Sequence, residues 1–460
     1  TRPSASRCVC GIHNDSSLFS PRSIRFSLSI RSTKILRMTM LSCAVIGFAL
    51  LMRLSLVSSL TMSSSSSSSP GSTTVIVGLN GALQKRFVLG GNANLVPGNV
   101  HRAAQIQTGI GGKGQDVAIS LACLDFPDMQ LAQFVGSGPE GDTVLQLLKD
   151  RIGGEAATAL SLRTKSPMRT CTTIVASDES TELVEPSGIV TDEEKEEFLE
   201  QLKSSCGSPI AAICIMGSMP PGLPEDMYAS MYETMAAASS SSTAPLCVID
   251  SVVGLDTMLS AIAKTKGPAI LKINASELCK LAGVAKSSSE AGGIALDELV
   301  EAVDTFMEKY SAVLDGLALT DGKHPAHLVS FTDDDGSRDI YKITVPSLDP
   351  TAVLYPIGAG DSVAAGTLGA WKSLVEQGDE KKKSLSDKIH AALDSRLQSS
   401  AAEIMSSSEH TKRMEAAFAF GLSCGSASCL EEENSVFAVD RVLKLFQEIP
   451  PPELVSSKKN

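Results

Sequence analysis

The chain has 460 residues, of which 43% are hydrophobic, 20% charged and 4% aromatic, a globular composition rather than a disordered or fibrous one. A net charge of −12 and a single tryptophan, Trp371, argue against nucleic acid as a partner, since such partners need basic faces or aromatic platforms. The charge is divided: eight Lys/Arg stand against Asp15 alone over residues 1–74, leaving −19 over residues 75–460.

Residues 1–73 read as a targeting leader, or as an untranslated or disordered N-terminal segment, ending in the polyserine linker Ser63–Ser69. Leu41–Met52 is an apolar run of twelve residues flanked by Arg37 and Arg53. It is too short for a stable membrane span and has the length of a signal-peptide core. Translation from Met38 implies a secretory or plastid-type leader, and from Met62 a cytoplasmic protein, so the expected location is cytoplasmic or plastid. The eleven cysteines form no CxxC and no Cys/His cluster, which points to a reduced compartment without a disulfide framework.

Residues 74–450 alternate strand-like and helix-like segments, predicting an α/β layer structure. Thr74–Leu79, Ala211–Gly217, Leu246–Asp250, Ala269–Asn274 and Gly316–Thr320 read as buried parallel strands. Glu193–Lys203, Asp226–Ala238 and Asp297–Tyr310 have helical periodicity with acidic first turns. Arg169–Glu185 alternates β-branched residues around an Asp-Glu-Ser turn, the pattern of a hairpin. A hairpin sits poorly inside a doubly wound sheet, so it is assigned to a small β lid, with lid strands expected near 75–108 and 168–186. Residues 377–411 read as a solvated insertion and 451–460 as a tail.

Two glycine-rich stretches carry the chemistry. Gly109–Gly114 (GIGGKG) fits the dinucleotide pattern literally, but the preceding His101–Thr108 is polar and reads as non-strand, so that context fails. It is not a Walker A loop either, because Lys113 is followed by Gly114. Instead Gly111, Gly112 and Lys113 open directly into a helix, where backbone can approach a ligand closely. In the second stretch, Gly358, Ala359 and Gly360 precede Asp361 and a helical run. Peptide N–H groups at a helix start bind anionic oxygens, and Asp361 could accept the proton of an attacking hydroxyl or simply cap the helix.

These motifs, with Met216–Gly222 (MGSMPPG) and Lys272–Glu277 (KINASE) between them, resemble in order those of the PfkB, or ribokinase-like, carbohydrate kinases. The resemblance covers about residues 74–375 and 413–447. It implies a doubly wound, mainly parallel α/β sheet flanked by helices with a β-strand lid, and ATP and Mg²⁺ as cofactors. By it, Asp361 is the expected catalytic base, and Gly358, Ala359 and Gly360 the anion hole. Lys272, Asn274 and Glu277 are expected at the nucleotide phosphates, with Glu277 organising the metal. Thr320 and Gly322 are expected along the nucleotide loop, and Asn434 near the adenine.

Leu79–Lys85 and Met168–Val175 resemble the 1-phosphofructokinase and tagatose-6-phosphate kinase branch. That places Asn80, Gln84, Gly111, Gly112, Lys113 and Asp116 at the sugar, and Arg169 at its existing phosphate. The sequence departs from that branch at Gln84 (aspartate there), Asp116 (asparagine), Gly81 (proline) and Pro325 (glycine). Gln84 and Asp116 could be an amide–carboxylate exchange within one pocket. The expected reaction is transfer of a phosphoryl from ATP to a sugar phosphate. The alternatives are a kinase of a free sugar or nucleoside, or a non-catalytic kinase-like scaffold. A homodimer through the lid is the expected assembly.

Overall fold

Apolar runs without polar alternation, such as LCVID and AILKIN, are satisfied only in strands covered on both faces. The computed structural model places them so. It describes residues 73–90, 94–176, 180–205, 209–239, 244–285, 293–310, 313–331, 337–352, 355–376, 385–400 and 408–459. The chain divides into two units, Thr1–Ser68 and Ser69–Asn460. The leader, the polyserine linker and most of the predicted Asp-Glu-Ser turn lie outside the described residues.

Chain order begins β1 (Thr73–Val77), β2 (Ala82–Leu89), β3 (Ala103–Gly111), α1 (Lys113–Cys123), β4 (Met129–Ser137), α2 (Gly138–Ile152), α3 (Gly154–Thr158) and β5 (Leu160–Pro167). It continues with β6 (Thr170–Val175), β7 (Ser180–Val184), α4 (Asp192–Ser205), β8 (Ile210–Met216), α5 (Met227–Ala238), β9 (Leu246–Asp250) and α6 (Leu255–Thr265). Then come β10 (Ala269–Asn274), α7 (Ala275–Ala282), α8 (Leu296–Tyr310), β11 (Gly316–Asp321), β12 (His324–Phe331) and β13 (Arg338–Ile343). The last elements are α9 (Ala359–Val375), α10 (Asp387–Ser400), α11 (Glu409–Ser428), α12 (Val439–Glu448) and β14 (Glu453–Lys458).

Among the described residues one sheet has the order β14-β13-β12-β11-β10-β9-β8-β1-β4-β5. From β11 through β5 every pairing is parallel, and β12, β13 and β14 add antiparallel strands at one edge. Successive side chains of a strand point to opposite faces, and two cores result. Ile76, Cys214, Val248 and Ile270 pack with residues of α1, α9 and α11. Val75, Ile213, Ile249 and Leu271 pack with residues of α5, α6, α7 and α8. The fold is thus the expected helix–sheet–helix layering, and a second, four-stranded sheet of order β3-β2-β6-β7 forms the lid. No helix among the described residues is long and apolar enough to cross a membrane.

Four expectations need correction. The lid does not begin at residue 75, because β1 lies in the large sheet between β8 and β4. His101–Thr108, read as non-strand, is largely β3. Most of its side chains are exposed or half-buried, so backbone pairing with β2 holds it and no apolar alternation marks it. The stretch 377–411, read as a solvated insertion, contains α10, which buries Ile389 and Leu393. Its Arg396 is buried against Glu415 of α11 at 2.5 Å. Residues 451–460, read as a tail, supply β14, an edge strand paired with β13; its ELVSSK sequence is largely polar, as edges often are.

Helices α9 and α11 approach unusually closely, because glycines meet at their contact. A Cβ on Gly366 would lie 2.8 Å from the Gly421 Cα, and one on Gly425 would lie 2.8 Å from the Ala359 oxygen. Small residues, Ala364, Ala365 and Ala370, are also buried on α9.

Candidate active site

Strand order reverses at the β1/β8 boundary, with β4 and β5 on one side and β9 to β11 on the other. In open α/β sheets ligands bind in the crevice at such a reversal, beyond the carboxyl ends of the strands. A cleft of about 460 Å³ lies there. The loop after β1 brings Gly78 and Asn80, the loop after β8 brings Gly217 and Ser218, and β9 ends in Asp250. The lid contributes Gln84, Cys171, Glu182 and Val184, and α9 contributes Asp361. Asn80 Nδ2 donates to Ser218 Oγ at 3.0 Å, tying the two loops across the reversal.

Glycine is required at both helix starts by close contact. Gly112, with φ 127°, turns β3 into α1, and a Cβ on Gly114 would stand 2.4 Å from the Gly78 Cα. Gly358, with φ 85°, begins α9, and a Cβ there would meet the Ser435 Oγ at 2.4 Å. First-turn amides of a helix lack intrahelical partners, so each start offers donors to an anion.

Charge in the cleft is organised around a residue that the sequence reading missed. Asp250 is 1% exposed and accepts from Lys113 Nζ and Lys272 Nζ, each at 2.6 Å. Burial acts to raise its pKa, but Lys272 and Lys113 outweigh that and hold the carboxyl below the usual range. Lys113 is pulled down by burial and raised more strongly by Asp250, so it stays charged. Its Nζ also lies 3.9 Å from Glu277. The only available sequence signal was an acid closing an otherwise apolar strand, LCVID.

Asp361 is 9% exposed. Burial first, then the nearby Asp250 charge, pushes its pKa up to about 7, against the opposing pull of Lys272 and Lys113. A carboxyl poised there can take and return a proton near neutrality. Asp116 is also buried, and burial followed by the Asp361 charge raises it well above the carboxylate range. Gln84 lines the same cleft and donates to Thr173 Oγ1 at 2.5 Å; amide and carboxylate do share one pocket. Arg169 lines it as well, with Nη2 donating to the Asn80 oxygen at 2.6 Å and Nε to the Gly81 oxygen at 3.2 Å.

Of the predicted positions, Asn80, Gln84, Gly111, Gly112, Lys113, Asp116, Arg169, Glu277, Asp361 and Asn434 surround this one cleft. Lys272 stands beside it on β10, where a Cβ on Gly360 would lie 3.2 Å from its Nζ. Asn274 and Glu277 form a capping box at the start of α7, each side chain accepting from the other's backbone N–H at 2.9 Å. Thr320 pairs with Asn274 across the β10/β11 ladder, and Gly322, with φ 62°, turns β11 into β12. Asn434 donates to Asp116 Oδ1 at 2.5 Å and to the Ile110 oxygen at 3.1 Å. It belongs to the wall of the cleft next to the glycine loop.

Residues 87–436 match the model of the pfkB family carbohydrate kinases. The chain belongs to this family. Among solved structures, this pfkB kinase is similar to phosphofructokinase-2 from Escherichia coli in complex with potassium, at 16% identity and a TM-score of 0.57, covering 82% of this chain and 99% of that one. A possible 1-phosphofructokinase from Thermotoga maritima matches at 17% identity and TM-score 0.56, covering 84% and 100% of the two chains. An Arabidopsis thaliana ribokinase complexed with ribose and ATP matches at 15% and 0.52, covering 82% and 99%. These likenesses establish the shared fold, and the family match establishes a carbohydrate kinase.

Proposed function

We propose that this kinase transfers the γ-phosphoryl of ATP to a hydroxyl of a sugar phosphate of the fructose 1-phosphate or tagatose 6-phosphate type, giving a sugar bisphosphate and ADP. The observation that carries this reading is Asp361: a buried carboxyl with a pKa near 7, in the cleft at a glycine-rich helix start. Asp361 would accept the acceptor's hydroxyl proton as its oxygen bonds to the γ-phosphorus and the bond to the β,γ-bridging oxygen breaks. Amides of Gly358, Ala359 and Gly360 would meet the transferring phosphoryl, with Lys272 beside them. Gln84 and Asp116 would hold sugar hydroxyls.

Magnesium fits this site in a particular way. Among the described residues no group of three or more His, Cys, Asp or Glu is placed to hold a metal. Mg²⁺ is commonly bound by one or two carboxylates, substrate phosphates and water, and Glu277 at the cleft can serve as that carboxylate. Mg²⁺, when bound, neutralises charge on the transferring phosphates. Glu277→Gln should therefore raise the Mg²⁺ concentration needed for half-maximal rate without lowering the melting temperature. An unchanged Mg²⁺ titration removes Glu277 from that role.

A second reading is favoured by the charges that line the cleft. Lys113 and Arg169 face the carboxylates Glu182, Asp250 and Glu277, with Asp361 half-ionised near neutrality, and Lys113 is already committed to Asp250. An uncharged acceptor, a free sugar or nucleoside, would meet less repulsion there. Arg169→Ala decides between the two. Loss of a charge-assisted bond of about 1.5–3 kcal/mol should raise KM for the phosphorylated sugar about 10- to 150-fold and leave the unphosphorylated sugar little changed. No change on either substrate would favour the uncharged acceptor, while equal loss on both would mean that the Asn80–Gly81 loop had collapsed.

The lid edges β3 and β7 have no partner strand among the described residues, and Ile106 and Leu183 on them are exposed. On that ground a second copy of this chain is the proposed partner of the lid. Sedimentation velocity with and without an Ile106→Lys/Leu183→Lys change would test it, an unchanged oligomeric state counting against the lid.

A further inference from the structure

Asn434 uses its amide on both sides of the glycine loop. The Ile110 oxygen precedes Gly111 and Gly112, the Asp116 carboxylate follows them, and Asn434 Nδ2 donates to both. The segment that carries Asn434 is itself held from three directions. On the lid, Arg86 of β2 donates to the Glu432 oxygen at 2.6 Å and to Gln107 Oε1 at 3.1 Å. The Arg86 guanidinium also stacks 4.1 Å above the centre of the Tyr355 ring. From α9, the Gly358 oxygen accepts from Ser435 Oγ at 3.2 Å. From α1, Ser120 Oγ donates to the Ser435 oxygen at 2.9 Å.

Ser435 adopts φ 60° and is fully buried. A left-handed conformation at a residue with a side chain persists only where its surroundings over-determine it. A second cavity of about 250 Å³ lies behind this segment, and Gln84 and Asn434 line both it and the cleft. Asn434 is therefore a partition between two cavities rather than a surface side chain.

We infer that Asn434 is a positioning residue for the acceptor pocket, fixing the Asp116 carboxylate and the glycine loop through a segment anchored jointly to the lid and to the start of α9. The inference rests on the reading of this cleft as the sugar site. A carboxyl keeps acceptor capacity and, when protonated, gains an O–H donor, so the bond from Asn434 orients Asp116 and leaves it able to meet sugar hydroxyls. A neutral amide is suited to the task. It donates without adding a cation to a site whose titratable groups, Lys113, Arg169, Glu182, Asp250, Glu277 and Asp361 besides Asp116, are already set against one another.

The test is a double-mutant cycle on the full chain with Asn434→Leu, Asp116→Asn and both together, measuring KM for sugar and for ATP separately. Asn434→Leu should raise the sugar KM about 5-fold or more, as expected when a buried acceptor loses its partner, with the ATP KM unchanged. In the Asp116→Asn background the same change should add little, because contacting residues are coupled. Equal rises in both KM values, or full additivity, would overturn the inference. A second readout does not depend on turnover: the carbonyl-¹³C NMR titration of labelled aspartates, with Asp116 assigned by Asp116→Asn. The Asn434 bond favours the ionised form, so Asn434→Leu should move the Asp116 midpoint upward, and an unmoved midpoint also overturns the inference. If the wild type phosphorylates none of the sugars, the functional reading fails, and the titration still decides whether Asn434 positions Asp116. Asn434→Ala takes the place of the leucine variant should the latter not fold.

Discussion

Asp361→Asn will lower kcat by about 10²- to 10⁴-fold, the usual worth of general-base assistance, while ATP binding measured by calorimetry stays close to wild type. The carboxyl lies buried in the cleft, and asparagine fills the same space without accepting a proton. The pH profile gives an independent check. With its pKa at about 7, Asp361 is mostly protonated below that pH and cannot act as a base. Above it the carboxylate forms and can. The kcat/KM of the free enzyme should therefore climb with pH through a limb centred near 7, and that limb should vanish in Asp361→Asn. A variant with near-wild-type kcat, or a wild-type profile flat from pH 6 to 8, would take Asp361 out of the chemistry.

Asp250→Leu should be the most destabilising single change in the cleft. Two ammonium groups converge on this carboxylate, and Lys272 is as deeply buried as its partner, with side-chain exposures of 5% and 1%. Removing one member of a buried pair leaves an uncompensated charge and costs about 3–5 kcal/mol. Urea unfolding should show that loss as a lower midpoint with little change in slope. Asp250→Asn, which retains an acceptor oxygen, should lose less stability. A leucine variant within about 0.5 kcal/mol of wild type, the range of ordinary surface changes, would mean that water or an anion satisfies both lysines without Asp250.

What could be read from the sequence, and what could not, divides along a physical line. Buried parallel strands need unbroken apolar runs, so β8, β9 and β10 stood out within a residue of their observed ends. Helix starts that press on neighbouring backbone need glycine, so both glycine loops were visible. His101–Thr108 read as non-strand because the faces of β3 are mostly solvated and only pairing with β2 holds it. α10 was missed because a short stripe of Ile389 and Leu393 is hidden among Ser and Lys. Side-chain partners were the least legible of all. Lys113 looks free for a phosphate in the sequence, and only the fold brings Asp250, 137 residues away, to within 2.6 Å of it. Asn434 reaches Asp116 across 318 residues, a contact that no local pattern announces.

The glycine contact between α9 and α11 sets a limit on engineering this enzyme. A glycine inside a helix costs about 1 kcal/mol relative to alanine, so Gly366, Gly421 and Gly425 would head any list of candidate stabilising replacements. At Gly421 the added methyl would fall 2.5 Å from the Val363 oxygen, and at Gly366 2.7 Å from the Cys424 Sγ. Relief requires α9 to slide or lift, and α9 carries Asp361 in its first turn. Gains in helix propensity and loss of reach to the acceptor hydroxyl would come from the same methyl group. Screens for thermostable variants should then recover substitutions on the solvated faces of α4 and α8 and leave this seam untouched.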